Sequence, residues 1–402
     1  VTIDIFPTQD ISSTYVIPTA VPRFAISEEA LTIVLLGSDQ RPDWEHWNTD
    51  AIQYLVIYPK IPSVTVLSIP RDLYVYLPQF KPNRINTADM YGEVYGFDGG
   101  GFGLLNQTML YNMGITADYY VKVNFQGLKG IVDALGGIEV PVHCRLEDYW
   151  PYPDENGEYP WLVLEPGIRH MDGKLALWYS RTRKTTSVFD REERQQQILE
   201  AIWRKARDGG LLGAVPELYN QYGHYVDTNL GWGNILSLAM VANQIEPSQV
   251  TLYNIGRDEI LPYTTMQGGF VFLPVWENMS PVIERSLMPP SPSRAARNAI
   301  RVEIWNGSSQ PDWDDLAADQ LYRNGFTPVL GTGNGQSFAQ THLQVFSEHA
   351  KGTGSAMVQA IFGVDDAQVS YMGSQAGDVK LRLILGQGYD PCSYESPGGH
   401  TQ

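Results

Sequence analysis

From Glu29 onward, short β-rich apolar runs alternate with helical segments, and this alternation restricts the fold more than any other feature of the chain. Leu31–Gly37, Ala51–Tyr58 and Val64–Ile69 are strand-length runs, each closed by turn residues. The pattern then predicts a helix over Gly103–Met113, a strand over Tyr119–Asn124, and a helix over Gly127–Leu135 stopped by Gly136-Gly137. A strand at Ile138–Val142, helices around Asp172–Tyr179, Asp190–Arg207 and Asn234–Gln244, and a strand at Val250–Ile255 complete the series. The expected class is α/β: a mixed central sheet with helices on both faces over residues 29–287, followed by a small C-terminal α/β domain. That second unit, 299–390, predicts strands at Ile300–Trp305, Leu343–Phe346 and Val379–Leu385 and helices at Asp312–Arg323 and Gly352–Phe362. Between the two, 288–298 (MPPSPSRAARN) reads as a Pro/Ser linker. Residues 1–28 read as a stalk and 391–402 as a disordered tail.

Charge narrows the function classes. The 402 residues carry 28 Lys plus Arg against 45 Asp plus Glu, a formal charge of -17. No basic stripe is present beyond one local cluster, which argues against nucleic acid and against a broad electrostatic grip on a membrane. No run of about 18 apolar residues occurs. The chain begins at Val1 rather than Met, and the expectation is that an upstream signal or anchor segment has been removed. The seven histidines include no HExxH pattern. Cys144 and Cys392 fit neither a metal spacing nor a redox CxxC, and two unrelated thiols are expected.

The exceptional local feature is YSRTRKTTSVFDREERQ, residues 179–195, with five cationic side chains between Arg181 and Arg194. Arginine offers a planar fork for phosphate or carboxylate oxygens and stays charged at any working pH. In an extended stretch Arg181 and Arg183 project to one face. Ser187-Val188-Phe189-Asp190 has the form of a helix start, which puts Arg191 in the first turn, where exposed N–H groups favour an anion, and Gln195 four residues on over the same face. A phosphate or pyrophosphate site is one reading. The other is a solvated helix face laced with ion pairs over 190–194, which leaves Arg181, Arg183 and Lys184 without acidic neighbours in sequence. Further polar groups sit at strand ends: Asp39 and Arg41 in GSDQR, Asp50 in NTD, Arg71 and Asp72 in SIPRD, and Arg84 in RINTA. Asp39 and Asp50 either close turns or hold Mg²⁺, an ion bound through few carboxylates plus waters and substrate phosphates. Gly99-Gly100-Gly101 lacks the ending of a phosphate loop, and PDENGE (153–158) reads as an exposed loop.

Taken in order, GSDQR, NTD, SIPRDLYV, NRINTA, VKVNFQGLKGIVDALGGIEV, MDGKLALWYSRTR and DREERQQQIL resemble the LytR–CpsA–Psr family of bacterial cell-wall assembly proteins, over roughly residues 29–285. From Ile300, VEIWNGSS…LAADQLYRNGF is similar to the small C-terminal domain often appended to that family. The resemblance implies a membrane-anchored extracytoplasmic enzyme that moves a glycopolymer, such as teichoic acid, from a polyprenyl-pyrophosphate lipid to a peptidoglycan sugar hydroxyl. It implies that Asp39 and Asp50 bind Mg²⁺. It also implies that Arg41, Arg71, Arg84, Arg181, Arg183, Arg191 and Gln195 hold the pyrophosphate, and that the lipid tail lies in an apolar tunnel between sheet and helices. Among these, Asp39, Asp50, Arg71, Arg183 and Arg191 are the expected catalytic set; Lys184 and Arg194 are expected to be peripheral.

Two positions depart from the family pattern. Asn48 stands where an Arg usually precedes the second aspartate, and Val188 where an acid usually precedes the Arg191 position. Two rival functions share the same site: a hydrolase of lipid pyrophosphates, and a non-catalytic module that binds lipid-linked polymer. The C-terminal domain shows no catalytic set and reads as an interaction module.

Overall fold

The computed structural model describes residues 17–41, 46–184, 187–209, 223–333, 337–346, 352–373 and 378–393. Within them the first part of the chain runs β1 (Leu31–Ser38), β2 (Thr49–Tyr58), β3 (Ser63–Ser68), the short pair β4 (Tyr74–Val75) and β5 (Asn83–Arg84), α1 (Ala88–Val94), α2 (Gly100–Met113), β6 (Tyr119–Asn124), α3 (Phe125–Ala134), β7 (Ile138–Val142), β8 (Leu146–Tyr149), β9 (Trp161–Leu164) and β10 (Gly167–Met171). There follow α4 (Gly173–Arg181), α5 (Val188–Asp208), β11 (Val226–Thr228), α6 (Trp232–Gln244), β12 (Val250–Asn254), the hairpin β13 (Ile260–Thr264) and β14 (Phe270–Pro274), and α7 (Trp276–Ser286). The C-terminal part comprises α8 (Pro292–Asn298), β15 (Arg301–Asn306), α9 (Trp313–Arg323), β16 (Thr327–Leu330), β17 (His342–Val345), α10 (Thr353–Phe362), β18 (Val369–Tyr371) and β19 (Val379–Leu385).

The central sheet has the order β11-β6-β1-β2-β3-β12. β1 pairs in parallel with β6, and β3 with β12, while β2 runs antiparallel between β1 and β3. The sheet is therefore mixed. Its pleat sorts the side chains. Val34, Leu36, Ile52, Tyr54, Val56 and Leu67 join α2 and α7 in one core cluster, and the alternate residues, Gln53 and Ser68 among them, face the other way, where α5 packs on β2, β3 and β12. A second cluster joins α3, α4 and α5 to β7 and β10. In the C-terminal part a five-stranded sheet, β16-β15-β19-β17-β18, has its own core around Val302, Phe326 and Leu383.

Sheet topology sets the place of the site. The carboxyl ends of β1, β3, β6 and β12 and the start of β2 lie at one edge, the position where open α/β sheets collect ligands. Caps then aim the helices at that edge. Asn124 accepts from the amides of Gln126 and Gly127 to start α3. Ser187 and Asp190 form a full capping box on α5: Asp190 N donates to Ser187 Oγ at 3.2 Å, and Ser187 N donates to the Asp190 carboxylate at 2.6 Å.

Several expectations change here. Cys144 and Cys392 form a disulfide, with Cα atoms 4.6 Å apart, rather than two free thiols. The approach is hidden in sequence because α9 packs against β7 and β10 and so brings the C-terminal part beside the end of β7. The tail is not uniformly disordered: Pro391–Ser393 form a 3₁₀ turn, while 394–402 lie outside the described residues. The supposed stalk is docked from Ile17 on, since Val21 N donates to Tyr111 O at 3.0 Å and Phe24 packs on the core; residues 1–16 lie outside the description. The stretch read as a linker holds α8, whose buried Arg294 donates to Ser248 O (3.3 Å) and Val250 O (2.7 Å).

The two parts meet through buried charge. Arg323 of α9 lies 3.0 Å from Glu200 of α5 and 2.6 Å from Asp319, and Arg204 of α5 reaches Glu200 and, at 3.3 Å, Asp319. Asp319 also stands 3.5 Å from His143 Nε2. Burial pushes His143 down to about 4, so the imidazole stays neutral at working pH. Removing one member of such a set strands the rest in a low-dielectric interior. Arg323→Ala is therefore expected to lower the unfolding free energy by about 3–5 kcal/mol in denaturant titrations. Lys60→Ala, in the exposed pair with Glu29, should lower it by less than about 1 kcal/mol. Equal losses would refute the argument.

Candidate functional site

The nine residues singled out in sequence converge on the edge described above. Asp39 follows β1, and its carboxylate accepts the Asn48 amide at 2.6 Å while its own N–H donates to Asn48 O. Asp39 thus closes the loop that leads to Asp50, and Asn48 serves this closure through its backbone. Asp50, at the start of β2, accepts from Arg71 Nη1 at 2.5 Å. Arg71 Nε lies 3.2 Å from Asp72, and the other oxygen of Asp72 lies 3.2 Å from Arg84 Nε. Arg84 also donates to Phe270 O at 2.8 Å, which ties β14 to the cluster. The Arg71–Asp72 pair is not a surface pair: both side chains are more than four-fifths buried. For Arg71, burial pulls the pKa down, and Asp50 and then Asp72 outweigh it, so the net direction is upward.

Arg181 ends α4 rather than beginning an extended stretch; Thr182, buried, turns the chain, and Arg181 and Arg183 project outward on either side of it. Arg181 lies over the Phe125 ring at 4.2 Å. Partial desolvation lowers its pKa, Asp50 and Asp39 oppose the fall, and Arg41 adds to it, which places all four groups within one electrostatic neighbourhood. Gln195 Nε2 donates to Asp50 O and Ser180 O, both at 3.4 Å, joining α5 to β2 and α4.

Arg191 is the unusual member. It is 3% exposed, and its Nε and Nη2 meet no hydrogen-bond partner among the described residues. It also sits near the positive end of α5 and close to Arg71 and Arg183. Burial pushes its guanidinium down to about 10; Arg71 adds to the fall, and Glu192 and Asp50 resist it. An anion placed against its open N–H groups would stabilise a cation so buried.

Sequence reasoning missed three contributors. Glu192 is 2% exposed with both carboxyl oxygens unpartnered among the described residues, and nothing in DREER separates it from its solvated-looking neighbours. Arg194, expected to be peripheral, is buried: it donates to Tyr179 O at 2.9 Å and to Thr182 O, pinning the end of α4. Buried Asp89 accepts from Trp47 Nε1 at 2.8 Å and stands 3.2 Å from Lys122, fixing the loop before Asp50 over α1. Lys184 is peripheral, stacked on Tyr149 and Trp161. Asp190 is committed to the capping box.

Burial pushes the Glu192 carboxyl up to about 8 against the pull of Arg191, with Asp72 adding to the rise and Arg71 opposing it. An unfolded glutamate releases its proton near 4.5, so between that pH and about 8 the folded chain binds more protons than the unfolded one. Stability contributed by this group therefore falls as pH rises through that window. Glu192→Gln is expected to flatten the fall, gaining most over the parent near pH 8 in melting temperatures measured from pH 5 to 8; parallel curves would contradict the assignment.

The comparisons with known proteins follow this geometry. The chain is 30% identical over 213 residues to the polyisoprenyl-teichoic acid–peptidoglycan teichoic acid transferase TagU of Oceanobacillus iheyensis, a match covering 52% of this chain and 62% of that one. It is 27% identical over 241 residues to the TagT transferase of Bacillus subtilis, covering 58% and 71%. The match thus spans about three fifths of the TagU relative's length. In fold, the crystal structure of B. subtilis TagV aligns with a TM-score of 0.52 at 23% identity, covering 65% of this chain and 97% of that chain. The LytR_cpsA_psr family description matches residues 9–277, two thirds of the sequence and every strand and helix that meets at the site. On that match the chain belongs to the LytR–CpsA–Psr family.

Proposed function

We propose that this protein transfers a glycopolymer from a polyprenyl-pyrophosphate carrier to a peptidoglycan sugar hydroxyl. The observation that carries the reading is Arg191, a buried guanidinium with open N–H groups, set among Arg41, Arg71, Arg181 and Arg183 beside two carboxylates. A pyrophosphate ester resists nucleophiles because its oxygens are negative; five guanidinium groups neutralise that charge and the charge that develops during transfer. The acceptor oxygen attacks the phosphorus that bears the glycan, the P–O–P bond breaks, and polyprenyl phosphate leaves with the bridging oxygen. The hydroxyl proton passes to a carboxylate oxygen of Asp39 or Asp50. A phosphodiester link results.

The donor set suits Mg²⁺. Among the described residues no group of three or more His, Cys, Asp or Glu could hold a metal, which disfavours an all-protein cage. Asp39 and Asp50 are the two-carboxylate kind of site that shares Mg²⁺ with substrate phosphates, and the ion would supply further charge neutralisation at the leaving oxygens. For the lipid tail, Leu35, Tyr119, Val121, Val123 and Leu252 on the α5 face of the sheet are only half-buried, and α6 buries none of its side chains. This partly open apolar surface suits a polyprenyl chain. The Cys144–Cys392 bridge suits an oxidising, extracytoplasmic compartment. Among the described residues, no helix is long and apolar enough to cross a membrane.

Loss of one positioned cation at such a centre lowers turnover by roughly 10²–10³-fold. Arg183→Ala and Arg191→Met are expected to show that loss in release of polyprenyl phosphate with a peptidoglycan acceptor present. Arg191→Met should at the same time melt higher than the parent, because it removes a buried unpaired charge. Near-parental turnover in either variant would sink the reading. Product analysis with and without acceptor separates transfer from hydrolysis: free glycan phosphate formed equally in both makes the protein a hydrolase.

A further inference from the structure

One exposed feature next to the site has no part in the chemistry above. Strands β8 and β9 form a hairpin whose outer surface is aromatic. Tyr149 is 56% and Trp161 44% exposed, and their rings meet edge to face at 5.0 Å. Large rings left in water at this density mark a binding surface.

The hairpin is bolted to the arginine segment. Thr182, between Arg181 and Arg183, donates to Asp148 Oδ2 at 2.6 Å, and the same carboxylate takes a hydrogen bond from the Arg183 backbone. Trp178 Nε1 donates to Tyr149 O at 3.1 Å, and Lys184 Nζ lies 4.3 Å from the Tyr149 ring centre and 4.9 Å from that of Trp161. Nearer the site, Tyr152 lies within electrostatic reach of Arg181. The surface is therefore held in fixed register with the cations.

Its charge selects the occupant. Residues 147–165 contain six acidic side chains and no Lys or Arg. Arg145 pairs with Glu147 and Glu165 and Lys184 lies over the two rings, which still leaves the surface net acidic and unfavourable to a polyanionic polymer and to an anionic bilayer alike. Flat, stiff rings flanked by hydrogen-bond acceptors suit an uncharged saccharide, whose C–H faces lie on the rings while its hydroxyls donate to carboxylates. We infer that the β8–β9 hairpin is a glycan platform, which seats the neutral saccharide chain of the acceptor beside Arg181 and Arg183. The inference rests on the transfer reading and adds to it the seat of the second substrate, whose hydroxyl must be held in line for attack.

The test uses the full chain and N-acetylchitotetraose, a neutral chain of β-linked N-acetylglucosamine, followed by calorimetry and tryptophan fluorescence. Trp161→Ala and Tyr149→Ala are expected to weaken saccharide binding at least about tenfold, as loss of an aromatic anchor does, with Trp161→Phe retaining most of it. Binding of polyprenyl phosphate, measured in the same samples, should be unchanged. Saccharide affinity equal to the parent in both alanine variants overturns the platform, as does a parent that binds the lipid but no saccharide. Sedimentation with phosphatidylglycerol vesicles that depends on Trp161 overturns it in favour of a membrane contact. A parent that binds neither lipid nor saccharide counts instead against the transfer reading itself.

Discussion

A charged side chain taken out of water must be met by a partner, and helix α5 is where this requirement governs the structure. The helix runs 21 residues and buries Arg191, Glu192, Arg194 and Glu200 along its length. At its C-terminal half, Glu200 is answered by Arg204 and by Arg323 from the other part of the chain. One turn after its start, Arg194 is answered by two backbone carbonyls of α4 and its exit. Arg191 has two N–H groups and Glu192 both carboxyl oxygens without a hydrogen-bond partner among the described residues, and both lie close to Arg71.

This division explains why the C-terminal part is built into the molecule rather than hung from it. Its α9 lies against β7 and β10 and grips α5 through Arg323, so the same rod carries the interface at one end and the buried Arg191 at the other. A displacement of α9 would be felt along α5 as a rigid shift, since close-packed interiors transmit strain instead of absorbing it. The stability argued from Arg323 and the instability argued from Arg191 are two ends of one helix.

Much of this was legible in sequence. Val379–Leu385, Tyr119–Asn124 and Ile138–Val142 alternate or run apolar between turn residues, and they form strands with those bounds. The Ser187-x-x-Asp190 signal gave the start of α5 because a cap is a local interaction. Elements without a local signature were lost: β8 is Leu-Glu-Asp-Tyr, with no apolar run, and β13 and β14 carry prolines. Among the site residues, the spacing of the arginines was visible, but their burial was not. DREER reads as a solvated helix face until tertiary packing covers Arg191, Glu192 and Arg194. The bridge between Cys144 and Cys392 was invisible for the same reason: 248 residues separate the two sulfurs, and only the docking of α9 brings them together.

That bridge divides the polypeptide topologically. Residues 144–392 become a closed covalent ring, and the described residues before Cys144 form an open arm joined to it by strand pairing, by a shared core and by ties such as Arg84 to Phe270 O. The candidate site straddles the division. Asp39, Arg41, Asp50, Arg71 and Arg84 belong to the arm, whereas Arg181, Arg183, Arg191 and Gln195 belong to the ring. The two carboxylates and the most buried arginine are therefore carried by pieces with different freedom to breathe. The β3–β12, β6–β11 and β7–β10 pairings are the seams across which arm and ring keep them aligned.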